Sequence, residues 1–243
     1  MQLLLMLGAA LLPPFLLGLY IWVKDPIKEP FKQLRKAVLW GMAISVPVII
    51  VELLIDAAIF QGSKPDTVLG AIVNAFAVAA IPEEAFKMLA LWIVLRKNPY
   101  FDEHFDSIVY AVYVGLGFAA LENVGYVCLS EDAWGAVAIM RALLAVPGHY
   151  AFAVLMGYYY ALYHFVDRSP KNAFCILFVP VLAHGMYDSL AMIGDAYPVA
   201  EGIAFFALIY FCIKMHRIVY RKLQVIIEKD RMLNDYAAST DPS

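Results

Sequence analysis

The chain has 243 residues, of which 63% are hydrophobic and only 16% are charged. Soluble domains average about 45–50% apolar and about 25% charged residues, and their apolar stretches end well before the roughly 20 residues that a membrane span requires. The formal net charge of -3 argues against nucleic acid as a partner. We therefore expect an all-α, polytopic membrane protein that lies in the lipid bilayer.

Apolar residues form seven segments separated by short polar loops, which predicts about seven transmembrane helices. The segments cover about residues 2–23, 38–60, 67–95, 106–129, 136–165, 173–193 and 198–214. They predict a single transmembrane domain over residues 1–214 with its core at 67–193. Residues 215–236 are charged and partly amphipathic, which indicates a cytoplasmic or interfacial helix, and residues 237–243 are expected to be disordered.

Basic residues indicate how the chain is oriented in the membrane. Lysine and arginine collect in every second loop, at residues 24–36, 96–97, 168–171 and 214–222. The other loops carry only Lys64 and the acidic turn at residues 130–132. The positive-inside rule then places the amino terminus outside and the carboxyl terminus in the cytoplasm, and an odd number of spans requires the same arrangement.

The third apolar segment contains two adjacent carboxylates, Glu83 and Glu84, near its middle. An ionisable side chain at the centre of a membrane helix costs about 2.5–3.5 kcal/mol, so such groups face the protein interior and usually mark a functional site. Lys87 follows at the helical spacing that lets it pair with either carboxylate. A structural ion pair between helices needs only one Glu, and the second one favours a role in chemistry.

The fourth segment combines small residues with buried polar ones. Gly115 and Gly117 allow a second helix to approach closely, and Glu122 and Asn123 follow one helical turn later. This order predicts a tightly packed cavity with a polar wall. Asp106 stands at the start of the segment, where a carboxylate is expected to cap free N–H groups of the helix.

The fifth and sixth segments each place a histidine near the middle of the span. His149 follows a Pro-Gly pair, and His184 lies four residues before Asp188, the spacing at which a carboxylate supports an imidazole. A single histidine in an apolar helix is more often a packed core residue than a ligand. Two of them, together with three intramembrane glutamates, favour a shared site.

Helix-breaking residues accompany these polar groups. Non-helical backbone at membrane depth is tolerated where it is buried or lines a hydrated cavity. The breakers that precede the acids and histidines are Pro82, Pro147, Pro180, Gly115 and Gly117. We therefore predict one polar, hydrated cavity formed by spans three to six.

Two histidines and a glutamate from separate helices can form the His2Glu set of a catalytic zinc site, with water as the fourth ligand and another glutamate as the general base. Zinc lowers the pKa of such a water to about 7. The sequence has no HExxH helix, so the ligands would have to come from different spans.

Taken together, these motifs resemble the PrsW family of intramembrane proteases, relatives of the Abi/CAAX-prenyl endopeptidase superfamily. The resemblance covers about residues 80–190. Its motifs are Glu83-Glu84-x-x-Lys87, Phe105-Asp106-x-x-x-Tyr110, Gly115-x-Gly117-Phe118-Ala-x-x-Glu122-Asn123, His149 and His184-x-x-x-Asp188. Ala111 departs from the pattern, since a Gly is expected after Tyr110.

The resemblance implies an all-helical protease of the bacterial plasma membrane. Its implied catalytic core consists of Glu83, Glu84, Glu122, His149 and His184. The implied substrate is a membrane-anchored protein, typically an anti-sigma factor that is cut on its extracytoplasmic side as the site-1 step of regulated intramembrane proteolysis.

On this interpretation Glu83 or Glu84 is the general base, and Asn123 or Asp188 orients the ligands or the tetrahedral intermediate. The expected zinc ligands are Glu122, His149 and His184. In the related prenyl endopeptidases the paired glutamates and histidines are often taken to activate water without a metal. In that version a Glu takes the proton of the water and a His stabilises the oxyanion.

Three other functions compete with this interpretation. An ion- or proton-coupled transporter also uses broken helices with carboxylates at the midplane, although the sequence shows no inverted repeat. An aspartyl protease would fit Tyr187-Asp188, but Phe118 stands where its second catalytic Asp is expected. In a scaffold protein the polar residues would only hold helices together.

Overall fold

The computed structural model describes residues 1–240 of the chain. Within this range the chain forms nine α-helices and no β-strand. The helices are α1 (Gln2–Lys24), α2 (Phe31–Ile59), α3 (Val68–Val73), α4 (Ile81–Leu95), α5 (His104–Leu129), α6 (Trp134–Met140), α7 (Val146–Ala161), α8 (Pro170–Ala196) and α9 (Glu201–Thr240). The prediction of an all-α membrane protein is confirmed.

Six helical stretches within residues 1–240 are long and apolar enough to cross a membrane. The third predicted span is not among them. It is nevertheless helical throughout residues 68–95, because α3 continues through a π-helical segment into α4. At about 1.5 Å per residue this stretch is long enough to cross a bilayer. It carries Glu83, Glu84 and Lys87 close together near its middle.

Helix α5 lies at the centre of the bundle and packs against α1, α2 and α7. The predicted close approach at its small residues is confirmed. A Cβ atom at Gly117 would lie 2.3 Å from the carbonyl oxygen of Val38 on α2, and one at Gly115 would lie 2.8 Å from the Cβ atom of Ala153 on α7. These two contacts fix α5 between the two neighbours that frame the polar cavity.

Two of the predicted helix breaks are π-helical segments. Residues 74–80 precede Pro82, and residues 141–145 precede Pro147. At the end of each segment an N–H group donates to the carbonyl oxygen five residues back. The pairs are Ile81 to Phe76 and Val146 to Arg141. A proline has no N–H group to donate and its ring crowds the preceding turn, so a wider turn at this point is expected. Pro180, by contrast, lies within the regular helix α8.

Helix α9 is continuous over 40 residues, so the predicted cytoplasmic or interfacial helix at 215–236 is an extension of the last span. This extension packs on the bundle through a stripe of buried residues at helical spacing, Met215, Val219, Leu223 and Ile226. Of the tail expected to be disordered, residues 237–240 are helical, and residues 241–243 lie outside the described range.

Candidate active site

The predicted polar cavity is present and has a volume of about 860 Å³. Its wall contains most of the polar residues that the sequence singled out, namely Glu83, Glu122, His149, His184 and Asp188. These side chains come from α4, α5, α7 and α8, the helices that correspond to predicted spans three to six. Helices α2 and α9 complete the wall with Ser45 and Leu208, among others, which the sequence did not suggest.

Lys87 is the centre of the cluster. Its Nζ atom lies 2.9 Å from Glu83 Oε2 and 2.8 Å from Glu84 Oε1, as the helical spacing predicted. The same atom lies 3.1 Å from His149 Nδ1 on α7 and 4.3 Å from the centre of the Phe118 ring. Because Lys87 is only 3% exposed, its charge acts on both carboxylates with little screening by water.

The two adjacent glutamates have different positions. Glu83 lines the cavity. Glu84 is fully buried behind it, with Oε1 bonded to Lys87 and His184 and Oε2 without a hydrogen-bond partner. Glu83 can therefore meet a water molecule or a substrate in the cavity, whereas Glu84 holds Lys87 and His184 in place.

His184 is fixed from both sides of its ring. Nδ1 lies 2.9 Å from Glu84 Oε1, and Nε2 lies 3.1 Å from Asp188 Oδ2. The predicted contact between His184 and Asp188 is thus confirmed. The ring also stacks on Phe152, with centroids 4.6 Å apart. A histidine held by two carboxylates and an aromatic ring keeps one orientation toward the cavity.

Glu122 is held by a residue that the sequence analysis missed. Its Oε2 atom lies 2.8 Å from His149 Nε2 and 2.9 Å from Nη2 of Arg141, in the π-helical segment before α7. Arg141 Nε in turn donates to Asn123 Oδ1 over 2.5 Å. A lone arginine in an otherwise apolar span, eight residues before His149, was the available signal for this role.

Asn123 does not line the cavity. It is completely buried, and its Nδ2 atom donates to the carbonyl oxygen of Ala10 on α1 over 2.7 Å. Its amide therefore connects Arg141 to the first helix, and its effect on the cavity passes through Arg141 and Glu122.

A second residue missed by the sequence analysis, Glu52 of α2, also lines the cavity. Among the described residues it makes no hydrogen bond or ion pair with a protein group. An acid in the second apolar span was again the available signal.

Asp106 lies away from the cavity. Its Oδ2 atom accepts hydrogen bonds from the backbone N–H groups of Asp102 and Glu103, and Glu103 is the N-cap residue of α5. The prediction that Asp106 caps this helix is confirmed.

Three cavity residues offer donor atoms suited to a metal ion. One atom each from Glu83, His149 and His184 lies within 4.8 Å of the others, and all three residues are buried. Glu122, the carboxylate ligand expected from the sequence, is not in this compact trio and contacts His149 from the other side.

An all-helical membrane protein that gathers paired acids and imidazoles around a cavity inside its bundle has the arrangement of an intramembrane hydrolase. The comparisons with known proteins agree. Residues 29–215 match the model of the PrsW family intramembrane metalloproteases, and the chain belongs to this family.

Bacterial relatives named Protease PrsW extend the match over most of the chain. The relative from Clostridioides difficile (strain 630) is 35% identical over 188 residues, which are 74% of this chain and 76% of the relative. That from Bacillus subtilis (strain 168) is 30% identical over 185 residues, 75% and 80% of the two chains. That from Geobacillus kaustophilus (strain HTA426) is 29% identical over 205 residues, 84% and 87%. No solved structure matches the chain.

Membership in this family makes the protein an integral membrane peptidase and sets the transporter, scaffold and aspartyl protease alternatives aside.

Proposed function

We propose that the protein cleaves a membrane-anchored protein, such as an anti-sigma factor, as the site-1 step of regulated intramembrane proteolysis. The observation that carries this proposal is the convergence of Glu83, Glu122, His149 and His184 on one cavity inside the bundle. Peptide hydrolysis needs a bound water, a base and positive charge near the developing oxyanion, and the cavity provides groups for each.

The position of the cavity fits a cut on the extracytoplasmic side of the membrane. Its wall extends to Leu129 and Ser130 at the carboxyl end of α5. The distribution of basic residues assigns this end of the bundle to the outside, with the amino terminus outside and the carboxyl terminus in the cytoplasm. A substrate segment just outside its own membrane anchor would then have the shortest path to the acids.

The donors of this site are of the type that a catalytic zinc ion takes, and its binding would displace Lys87 from Glu83 and His149 and one carboxylate from His184. Glu83, His149 and His184 provide one carboxylate and two imidazoles, the His2Glu set typical of catalytic zinc, and their donor atoms are mutually close. When bound, zinc would polarise the substrate carbonyl and acidify its bound water. Glu83 takes the place in this set that the sequence assigned to Glu122.

In this arrangement we assign Glu122, which contacts His149, as the carboxylate that accepts the proton of the water. Both contacts of Glu122 with His149 and Arg141 use Oε2, so Oε1 is available to the cavity. Arg141 and His149 orient this carboxylate, while Asp188 and Glu84 orient His184. Glu84 is not assigned as the base, because it is fully buried and does not line the cavity.

A metal-free version is supported by one specific observation, the ammonium group of Lys87 among the same donors. It lies 2.9 Å from Glu83 and 3.1 Å from His149 and already places a positive charge there. In this version Glu83 takes the proton of the water, and His184 stabilises the oxyanion.

The experiment combines metal analysis with cleavage of a single-span anti-sigma factor reconstituted together with the purified protein. The metal-assisted version predicts about one zinc per wild-type chain, loss of both metal and cleavage in Glu83→Gln, and loss of cleavage with retained metal in Glu122→Gln. Cleavage by wild-type protein that holds almost no metal would select the metal-free version. A folded wild type that cuts no single-span protein would overturn the proposed function.

A further inference from the structure

A second group of buried acids lies where α1 ends and α5 begins. We call it the acidic pocket, and it consists of Asp25, Glu29, Glu103 and Asp106. These residues are 2%, 5%, 9% and 1% exposed. Asp25, Glu103 and Asp106 each bring a carboxylate oxygen within 4.8 Å of the others. None of the four lines the active-site cavity.

The basic groups beside the acidic pocket are engaged elsewhere. Lys28 directs its Nζ atom at the backbone carbonyl oxygens of Trp22, Val23 and Asp25. The Nδ1 atom of His104 lies 2.6 Å from Oδ1 of Asp230 on α9. Among the described residues, no ion pair joins an acid of the pocket to a basic side chain.

Neutral donors satisfy only part of the pocket. Glu29 accepts a hydrogen bond from the Tyr110 hydroxyl, and Glu103 accepts one from Asn234 of α9. Asp25 Oδ2 accepts only a long bond, 3.3 Å, from the backbone of Glu29.

Two buried carboxylate oxygens, Asp25 Oδ1 and Glu103 Oε2, have no hydrogen-bond partner. Such acceptors are rare in folded proteins, because each forfeits its interaction with water without a replacement. The two partnerless oxygens indicate that a positive charge is missing from the pocket.

We propose that the acidic pocket binds a hard divalent cation, of the class of Mg²⁺, Ca²⁺ and Mn²⁺, through Asp25, Glu103 and Asp106. Carboxylate oxygens are the ligands that these ions prefer, and Ca²⁺ in particular accepts several of them at flexible geometry. The two partnerless oxygens are the free coordination positions.

The site differs in chemistry from the active-site cavity, whose donors include two imidazoles and suit zinc. A bound cation would connect the end of α1 to the start of α5. Through Asn234, which bonds Glu103, the connection extends to α9.

The test is thermal unfolding of the full chain in detergent, first with EDTA and then with Mg²⁺, Ca²⁺ or Mn²⁺ added singly. A ligand that binds only the folded state raises its stability, and a concentration one hundred times the Kd is expected to raise the Tm by about 5–10 °C. The substitution Asp25→Asn should raise the cation concentration needed for the Tm increase at least tenfold. Asp66→Asn, at an exposed loop position, should leave that concentration unchanged.

The thermal stability of the variants in EDTA distinguishes a cation site from a group of acids that only stabilises the fold. Without a cation, Asp25→Asn should be at least as stable as the wild type, because it removes one of several repelling charges. Glu103→Gln, which retains an oxygen for Asn234, provides a second variant with the same expectation. The proposal is overturned if none of the three cations raises the Tm of the wild type, or if both variants keep the full response.

Discussion

The active-site cluster and the acidic pocket are both built from buried carboxylates, but they differ in how their charge is balanced. The carboxylates of the active-site cluster contact Lys87, Arg141 and two histidines, all provided by the chain. Within residues 1–240, the acidic pocket accepts hydrogen bonds from neutral donors, and no basic side chain forms an ion pair with it. The chain thus provides basic partners for the acids of the first cluster and none for those of the second, where we propose that a cation from solution takes their place.

Access to solvent differs in the same way. Glu122 and Asp188 expose 21% and 16% of their side chains to the cavity, as hydrolysis requires. Asp25 and Asp106 are at most 2% exposed. A site that handles water and substrate is open, and a site that holds one ion can be closed.

The largest loss of stability is expected from replacing Lys87, the basic residue at the centre of the active-site cluster. Lys87→Met leaves Glu83 and Glu84 buried without their partner, and breaking a buried ion pair in this way costs about 3–5 kcal/mol. We expect a clear loss of Tm in a thermal unfolding measurement. Lys97→Met, at an exposed loop position, is the matched control and should unfold like the wild type.

The second prediction concerns His184 and its supporting acid. His184→Ala should lower the cleavage rate about 10²- to 10⁴-fold, as removal of a general acid, base or charge-stabilising group does. Asp188→Asn keeps an acceptor for the ring but loses the charge, and we expect a smaller loss of about 10- to 100-fold. Equal losses in the two variants would contradict a supporting role for Asp188. Rates of reporter cleavage provide the measurement.

A somewhat smaller effect is expected for Arg141, which contacts Glu122 Oε2 at 2.9 Å. A lysine cannot contact both Glu122 and Asn123 with the fixed geometry of a guanidinium group. Arg141→Lys should therefore lower kcat about tenfold and leave KM nearly unchanged, because Glu122 is misplaced while the substrate still binds. A change confined to KM would indicate that Arg141 contacts the substrate.

The last prediction tests the packing that holds the cavity in shape. Gly117→Ala would place a Cβ atom 2.3 Å from the carbonyl oxygen of Val38, and we expect a destabilisation of about 1–3 kcal/mol. Gly125→Ala in the same helix meets open space and should be neutral or slightly stabilising, since alanine favours a helix. Denaturation curves of the two variants, measured side by side, check the difference.

The contacts that the sequence predicted correctly are those within one helix. The pairing of Lys87 with Glu83 and Glu84, and that of His184 with Asp188, follow from the spacing of three or four residues along a helix. The overall fold followed from the long apolar segments for the same reason: span length and helical period are local properties of a sequence.

The sequence pattern did not identify which individual side chains pair across helices. The interactions of Glu122 with His149 and Arg141 depend on how α5 and α7 cross, and no local spacing encodes that geometry. The acidic pocket joins Asp25 to Glu103 and Asp106, about 80 residues apart, and remained unrecognised for the same reason. His104, at the start of α5, is buried against Asp230 of α9, a pairing that also depends on how two distant helices pack.

The hydrogen bond between Asn123 and the backbone of Ala10 links α1 to the active-site cluster. The match to the family model begins at residue 29, after α1. A chain trimmed to the matched residues would keep all the acids and imidazoles of the cavity, yet the amide that contacts Arg141 would lose its bond to Ala10. We therefore expect such a chain to lose activity through a misplaced Arg141.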